Sequence, residues 1–411
     1  MSSSAAGGNG RPFRGGPLIP ILFFITPLFT AASPRLAPFL LPVVAAVLMI
    51  AALRRGLPWR DLLKPNAALI ALVAVAAYAG LSAIWAADPE AALSKCALLF
   101  ATTLVVFAAS AAIPTLDADQ VRRASQAFVA GAFCAAGFVA VELLTDGAIT
   151  RATMNTFPSF RPERAKHVTI HHDRVTKINL SEFNQDIAIL ALLLWPGLLA
   201  LRALPSPRRM LLSVLFFLAL AVPIAISEHD SSQVGLVASL LVLALAWMSP
   251  RAVVRGLAIA WCLGFVLVIP LDFLAFKADL HEAKWLPMSA RARIIIWEYT
   301  AERVLEKPWL GIGADSTPAM IVKPKNPSER PKGFVIRRTT GQHAHNLFLQ
   351  SWYELGVLGV ILAALAGAAV ALRILLLPAA AQAYGAAAFT MVAVIAAFAW
   401  GTWQVSLICA V

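Results

Sequence analysis

The chain has 411 residues, 60% of them hydrophobic and only 14% charged, and its mean hydropathy is +0.76. That balance excludes an ordinary water-soluble domain. The net charge of +12 sits in short loops and two longer ones without a basic domain, which points away from nucleic acid and towards topology or an anionic ligand.

Apolar runs of about 18 to 25 residues, each enough to carry a helix across a ~30 Å hydrocarbon core, recur along the chain. They predict spans at about 17–33, 36–53, 67–87, 93–113, 124–144, 183–201, 210–227, 232–249, 253–275, 346–373 and 380–399, with a twelfth starting near Trp403 and cut short at Val411. The first run leads straight into Pro34 and a second span, which is not how a cleaved signal reads. The ~10-residue alternating segments of a membrane β-barrel are absent. Cys96, Cys134, Cys262 and Cys409 stand apart inside apolar runs, so their spacing builds neither a disulfide framework nor a metal knuckle. The fold expected is all-α: a polytopic integral membrane protein with about twelve transmembrane helices.

Counting the spans alternately puts Arg11, Arg14, Arg54, Arg55, Arg60, Lys64, Arg122, Arg123, Arg202, Arg208, Arg209, Arg251, Arg255 and Arg373 on one side, the cytoplasmic side by the positive-inside rule. Opposite loops such as 87–90 and 228–230 are poor in Lys and Arg. Two longer outer loops break the pattern. One, at about 145–181 within the first block of spans (1–275), carries Arg151, Arg161, Arg164, Lys166, Arg174 and Lys177 with His167, His171 and His172. The other fills 276–345 and precedes the last spans at 346–411. Positive charge kept outside, beside the lipid, suits a lipid-linked phosphate; attraction to anionic head groups is the plainer reading.

Within the long loop, Ser289 to Glu306 has apolar residues at Ile294, Trp297, Ala301, Val304 and Leu305, a helical spacing, with Glu302, Arg303 and Glu306 on the other face. This reads as an amphipathic helix lying in the interface. Arg293 sits one turn before Trp297, where its guanidinium can reach phosphate depth while the indole anchors the helix; simple snorkelling is the alternative. A helix stop and a glycine turn follow at Pro308-Trp309-Leu310-Gly311-Ile312-Gly313. The loop closes on His343-Ala344-His345-Asn346 at the mouth of the next span. A histidine there can meet the reactive end of an amphiphilic substrate, or simply hydrogen-bond within the loop. Glu354, about two turns into the span, is an ionisable residue in apolar surroundings, placed either to act or to tie helices together.

The order R-x-x-x-W, P-W-L-G-I-G, a loop, then H-N-x-x-L-Q-x-x-x-E-L-G-x-x-G, running from Ser289 to Gly359, resembles the superfamily of O-antigen ligases and O-antigen polymerases. The remaining spans agree with it in number, order and the late position of the large loop. The resemblance implies a glycosyltransferase of the bacterial inner membrane that takes a glycan from undecaprenyl pyrophosphate on the periplasmic face. A ligase passes it to lipid A-core; a polymerase passes it to another O-antigen or exopolysaccharide repeat unit. Metal independence, inversion and the absence of a cofactor are implied with it, and membrane lipids are the remaining partner. By match to the family pattern, Arg293 would bind the donor pyrophosphate and His345 would activate the acceptor hydroxyl, with Asn346 beside it and His343 as a second candidate.

The family's second arginine, in an S-x-S-R segment, falls here at Gln233 of Ser227-Glu228-His229-Asp230-Ser231-Ser232-Gln233. Glutamine can donate hydrogen bonds to a phosphate but brings no charge, so Arg291, Arg161 or Arg164 would have to supply the cation. Arg291 and Arg293 point about 160° apart on a helix, which ranks Arg293 first for a single phosphate. Outside the transferases, the competing class is a transporter of the same lipid-linked glycans. Against it, there is no internal repeat, and the candidate residues gather at one surface instead of the midplane.

Overall fold

The computed structural model describes residues 17–161, 168–202, 204, 207–321 and 339–409. Among the described residues ten helices are long and apolar enough to cross a membrane, and a shorter apolar helix, α1 (Leu18–Ala32), precedes them. Then come α2 (Ala37–Arg54), α3 (Ala67–Ser82), α4 (Pro89–Ala112) and α5 (Ala118–Leu144). Their starts are written in the sequence: Asp88 caps α4 by accepting from Ala91 N at 3.0 Å, and Asp117 with Gln120 forms a capping box on α5. The rest of the bundle is α7 (Asn184–Arg202), α8 (Arg209–Ile226), α9 (Asp230–Met248), α10 (Pro250–Lys277), α12 (Leu347–Arg373) and α13 (Ala379–Phe398).

Pairs α1 with α5, α9 with α13, and α10 with α12 pack against one another, and α3 lies against α12. Their interfaces are built on small residues, with Ala132, Ala135, Ala136, Ala383, Ala386 and Ala387 all buried, so the backbones approach closely as helices in lipid must. The opposite faces carry Phe39, Ile70, Leu241, Ile259 and Val266, all exposed, a belt that only an apolar solvent satisfies. The chain is a polytopic membrane protein of the all-α class.

The loop at 145–181 adds a small element that leaves the all-α class unchanged. It forms α6 (Ala148–Thr156) and an antiparallel hairpin of β1 (Val168–His171) and β2 (Arg174–Ile178). The buried Glu142 carboxylate takes Ile149 N at 3.2 Å and Thr150 N at 2.8 Å, holding the start of α6 where free N–H groups favour an anion.

The long loop yields α11 (Met288–Glu306) where the spacing predicted it. Its apolar stripe, however, seats Ile294, Ala301 and Val304 against α10 and α12, leaving Leu305 exposed. The Trp297 indole donates to Ala344 O at 2.8 Å instead of anchoring the helix among head groups.

A second departure concerns α12. Hydropathy runs straight through it, yet Gly356 (φ 62°) breaks the helix. The turn after Pro308 lies along the break, so that Ile312 N and Gly313 N reach Tyr353 O and Glu354 O at 3.0 and 2.9 Å, while Val357 N reaches Pro308 O at 2.9 Å. Tyr78 Oη takes the carbonyl of Leu355 at 3.0 Å. The backbone groups freed by the break are thus satisfied inside the protein, the condition for non-helical chain at this depth.

Among the described residues a twelfth span is not found. After α13 the described residues give only α14 (Val405–Ile408), and the chain before it is bound to α12: Thr402 N donates to Gln350 Oε1 at 3.1 Å and the Trp403 indole to the Glu354 carboxylate. Trp403 belongs to this capping segment, which hydropathy alone cannot tell from the head of a span.

Candidate functional site

The loops joining α1 to α2, α3 to α4, α5 to α7, α8 to α9 and α10 to α12 gather at one end of the bundle. Ala314 N donates to Ser82 Oγ at 2.9 Å, Ala87 N to Ser316 Oγ at 2.9 Å, and Ser289 Oγ to Asp230 Oδ2 at 2.7 Å. They enclose a cavity of about 510 Å³. One set of lining residues comes late in the chain: His229, Arg293, His343, His345, Trp400 and Gln404. The other comes early: Arg35, Thr150, Met154, Glu182, Asn184 and Asp186.

Each functional side chain is fixed by local structure. Arg293 projects from the first half of α11, whose position is set by the Trp297 bond to Ala344 described above; the same bond fixes the residue before His345. The R-x-x-x-W spacing therefore joins two halves of one site. His345 has a left-handed backbone (φ 52°), tolerated by few side chains, and Asn346 then starts α12 by capping Leu349 N at 3.1 Å. His343 and His345 have ring centroids 4.0 Å apart. Gln404 Nε2 lies 3.4 Å from His343 Nε2, and the Cβ that Gly401 lacks would stand 2.8 Å from that ring.

Electrostatics keep these rings neutral. Burial, then the neighbouring His343, then Arg293 push His345 down to about 3, against a backbone hydrogen bond at Ala399 that pulls it up. Burial and Arg293 push His343 down to about 4. His229, buried near Arg293 and with Nδ1 2.7 Å from Ser232 Oγ, is also pushed down to about 4. Burial lowers Arg293 as well, and the charge of Asp230 raises it. Among the described residues no hydrogen bond or ion pair occupies its guanidinium. The arrangement offers an unoccupied guanidinium beside neutral imidazoles able to accept a proton.

The other expected positions lie elsewhere. Both Gln233 amide contacts go to backbone, Ala225 O at 3.1 Å and Ser227 O at 2.8 Å, so it braces the end of α8 and does not line the cavity. Arg161 is held by Met154 O, Asp173 O and Asp173 Oδ1 at 3.1, 2.9 and 2.7 Å, which staples the hairpin to its loop. Arg291 is not a lining residue either, and its Nε is buried without a partner among the described residues. Arg164 lies outside the described residues. Glu354 is buried and engaged from every side: Gln350 Nε2, Asp315 N and Thr317 N each reach it at 3.2 Å, with Thr317 Oγ1 and Trp403 Nε1 adding bonds. It ties α12 to the turn around 317 and to the segment after α13.

Sequence reasoning missed Arg35, His229, Glu182 and Asp186. Arg35 carried a usable signal, as an arginine between two spans on the side otherwise poor in them. Asp186 carried another, a lone carboxylate inside an apolar run.

Fold and cavity together define a polytopic helical membrane protein with a charged pocket at one end of its bundle. Residues 214–364 match the model of the O-antigen ligase family, so this stretch of the chain is similar to that family. That stretch runs from α8 into α12 and contains Gln233, Arg291, Arg293, His343, His345, Asn346 and Glu354, whereas Arg35, Arg161 and Asp186 fall outside it. Glycosyltransferase-type activity on lipid-linked glycans goes with that family. No curated protein and no solved structure matches the chain significantly.

Proposed function

We propose that the protein is an O-antigen ligase of the bacterial inner membrane, moving a glycan from undecaprenyl pyrophosphate to lipid A-core at a cavity open to the periplasm. The observation that carries this reading is the meeting of Arg293 and His345, some fifty residues apart in the chain, in one cavity within the family-matched stretch. The donor already holds a good leaving group, so the protein must supply positive charge for the pyrophosphate and a base for the acceptor hydroxyl. Arg293 supplies the charge, and Arg35, the other arginine lining the cavity, takes the part that Gln233 leaves vacant. His345 takes the proton: with one ring nitrogen turned to the Ala399 backbone, the other is its acceptor. His343 lies against it with its ring tilted by 45°, and Asn346 and Glu354 hold the segment in place.

Purified protein in lipid nanodiscs, given undecaprenyl-pyrophosphate-linked glycan with or without lipid A-core, tests this reading. Glycosylated lipid A-core is the expected product. Elongated lipid-linked glycan made without lipid A-core would assign the protein to the polymerases, and movement of intact donor across the bilayer without transfer would make it a transporter.

A further inference from the structure

The transferase reading employs the arginines and histidines of the cavity and leaves its carboxylates idle. Asp186, in the first turn of α7, lines the cavity and is only 7% exposed. Among the described residues it has no hydrogen bond and no ion pair, an expensive state for a buried carboxylate unless a ligand fills it. Glu182 lines the same cavity four positions earlier, and the stretch Ser181-Glu182-Phe183-Asn184-Gln185-Asp186 carries no cation. Glu142, whose charge also bears on Asp186, is already engaged at the start of α6.

The 181–186 stretch has no cation to hold a pyrophosphate, so this part of the cavity does not serve the donor's charged end. Its carboxyl oxygens suit sugar hydroxyls, which are neutral donors in need of buried acceptors. We propose that Asp186 and Glu182 form the subsite for the acceptor sugar, accepting hydrogen bonds from hydroxyls next to the one that reacts. This rests on the transferase reading. In the step it serves, the acceptor oxygen bonds to the donor's anomeric carbon and the bond from that carbon to the pyrophosphate oxygen breaks. The electron pair leaves with undecaprenyl pyrophosphate, and the acceptor proton passes to His345. Asp186 has no part in the proton transfer; it orients the attacking sugar.

The test compares wild-type protein with Asp186→Asn and Glu182→Gln in nanodiscs, using undecaprenyl-pyrophosphate-linked glycan as donor. Separate arms offer lipid A-core and a second lipid-linked repeat unit as acceptor. In the arm that the wild type uses, Asp186→Asn is expected to raise the acceptor KM roughly tenfold or more while the donor KM stays within about twofold, with a smaller effect in the same direction for Glu182→Gln. Because the amide keeps the shape of the carboxyl and breaks no hydrogen bond or ion pair among the described residues, Asp186→Asn is also expected to keep the Tm. An unchanged acceptor KM in both variants, an equal change in donor KM, or a lowered Tm for Asp186→Asn would overturn the subsite while leaving the transferase reading intact. A wild type that transfers in neither arm would bring down both.

Discussion

At the scale of single residues, the site works through what burial does to imidazole. His345 and His343 are held near 3 and 4, so both rings are neutral at physiological pH and the proposed base has no proton to lose first. That base gains basicity only once bound pyrophosphate offsets the Arg293 charge. A depressed histidine loses its neutral form only as pH falls through the lowered value, not through the usual 6.5. The acid limb of kcat/KM is therefore expected to lie near pH 4 or below, as the pH profile of transfer by the purified protein will report. The limb in kcat should lie higher, because bound pyrophosphate offsets the Arg293 charge that helps to depress the rings. An acid limb in kcat/KM at the ordinary histidine value would refute this. Arg293 and His345, which line one cavity, could be picked out as candidates because their motifs stand in a fixed order. Arg35 and Asp186 each carried a local signal, but their meeting with that pair was not legible, since it depends on helices packing from the far end of the chain.

Elements set the precision of the site, and the break in α12 is the clearest case. Gly356 has φ 62°, and a Cβ there would stand 2.4 Å from Trp309 O; Gly311, across the break, has φ 67° and would place a Cβ 2.5 Å from Glu354 O. The two glycine motifs singled out in the sequence thus interlock, each allowing the other backbone to come close. Gly356→Ala is expected to destabilise the protein by about 2 kcal/mol or more, through strain and displacement of the 308–313 turn, read as a lowered Tm in detergent. A Tm equal to that of the wild type would show that the interlock is not needed. The pattern E-L-G-x-x-G was visible in the sequence, but its structural meaning was not, because an apolar run gives no sign of which residue departs from the helix. The reading of Glu354 leaned equally towards action and bracing, and its bonds favour bracing.

For the whole molecule, hydropathy located every helix that crosses the bundle, because an apolar run of that length has no other stable arrangement in lipid. It misread the stretch from Trp403, expected to head a twelfth span: Thr402 and Trp403 are bonded to α12 instead, while Trp400 and Gln404 line the cavity. It was silent on the hairpin at 168–178, where short polar strands leave little periodicity to read. The central claim is that a bundle assembled from both ends of the chain brings a donor-binding arginine and a proton-accepting histidine to one cavity. Its most direct test is the rate of glycan transfer by purified His345→Asn protein at saturating donor and acceptor. Asparagine accepts the left-handed backbone at this position, so the substitution removes the base while sparing the fold. A fall in kcat of about 100-fold or more, with the donor KM and Tm near wild type, is the predicted result; transfer at the wild-type rate would contradict it.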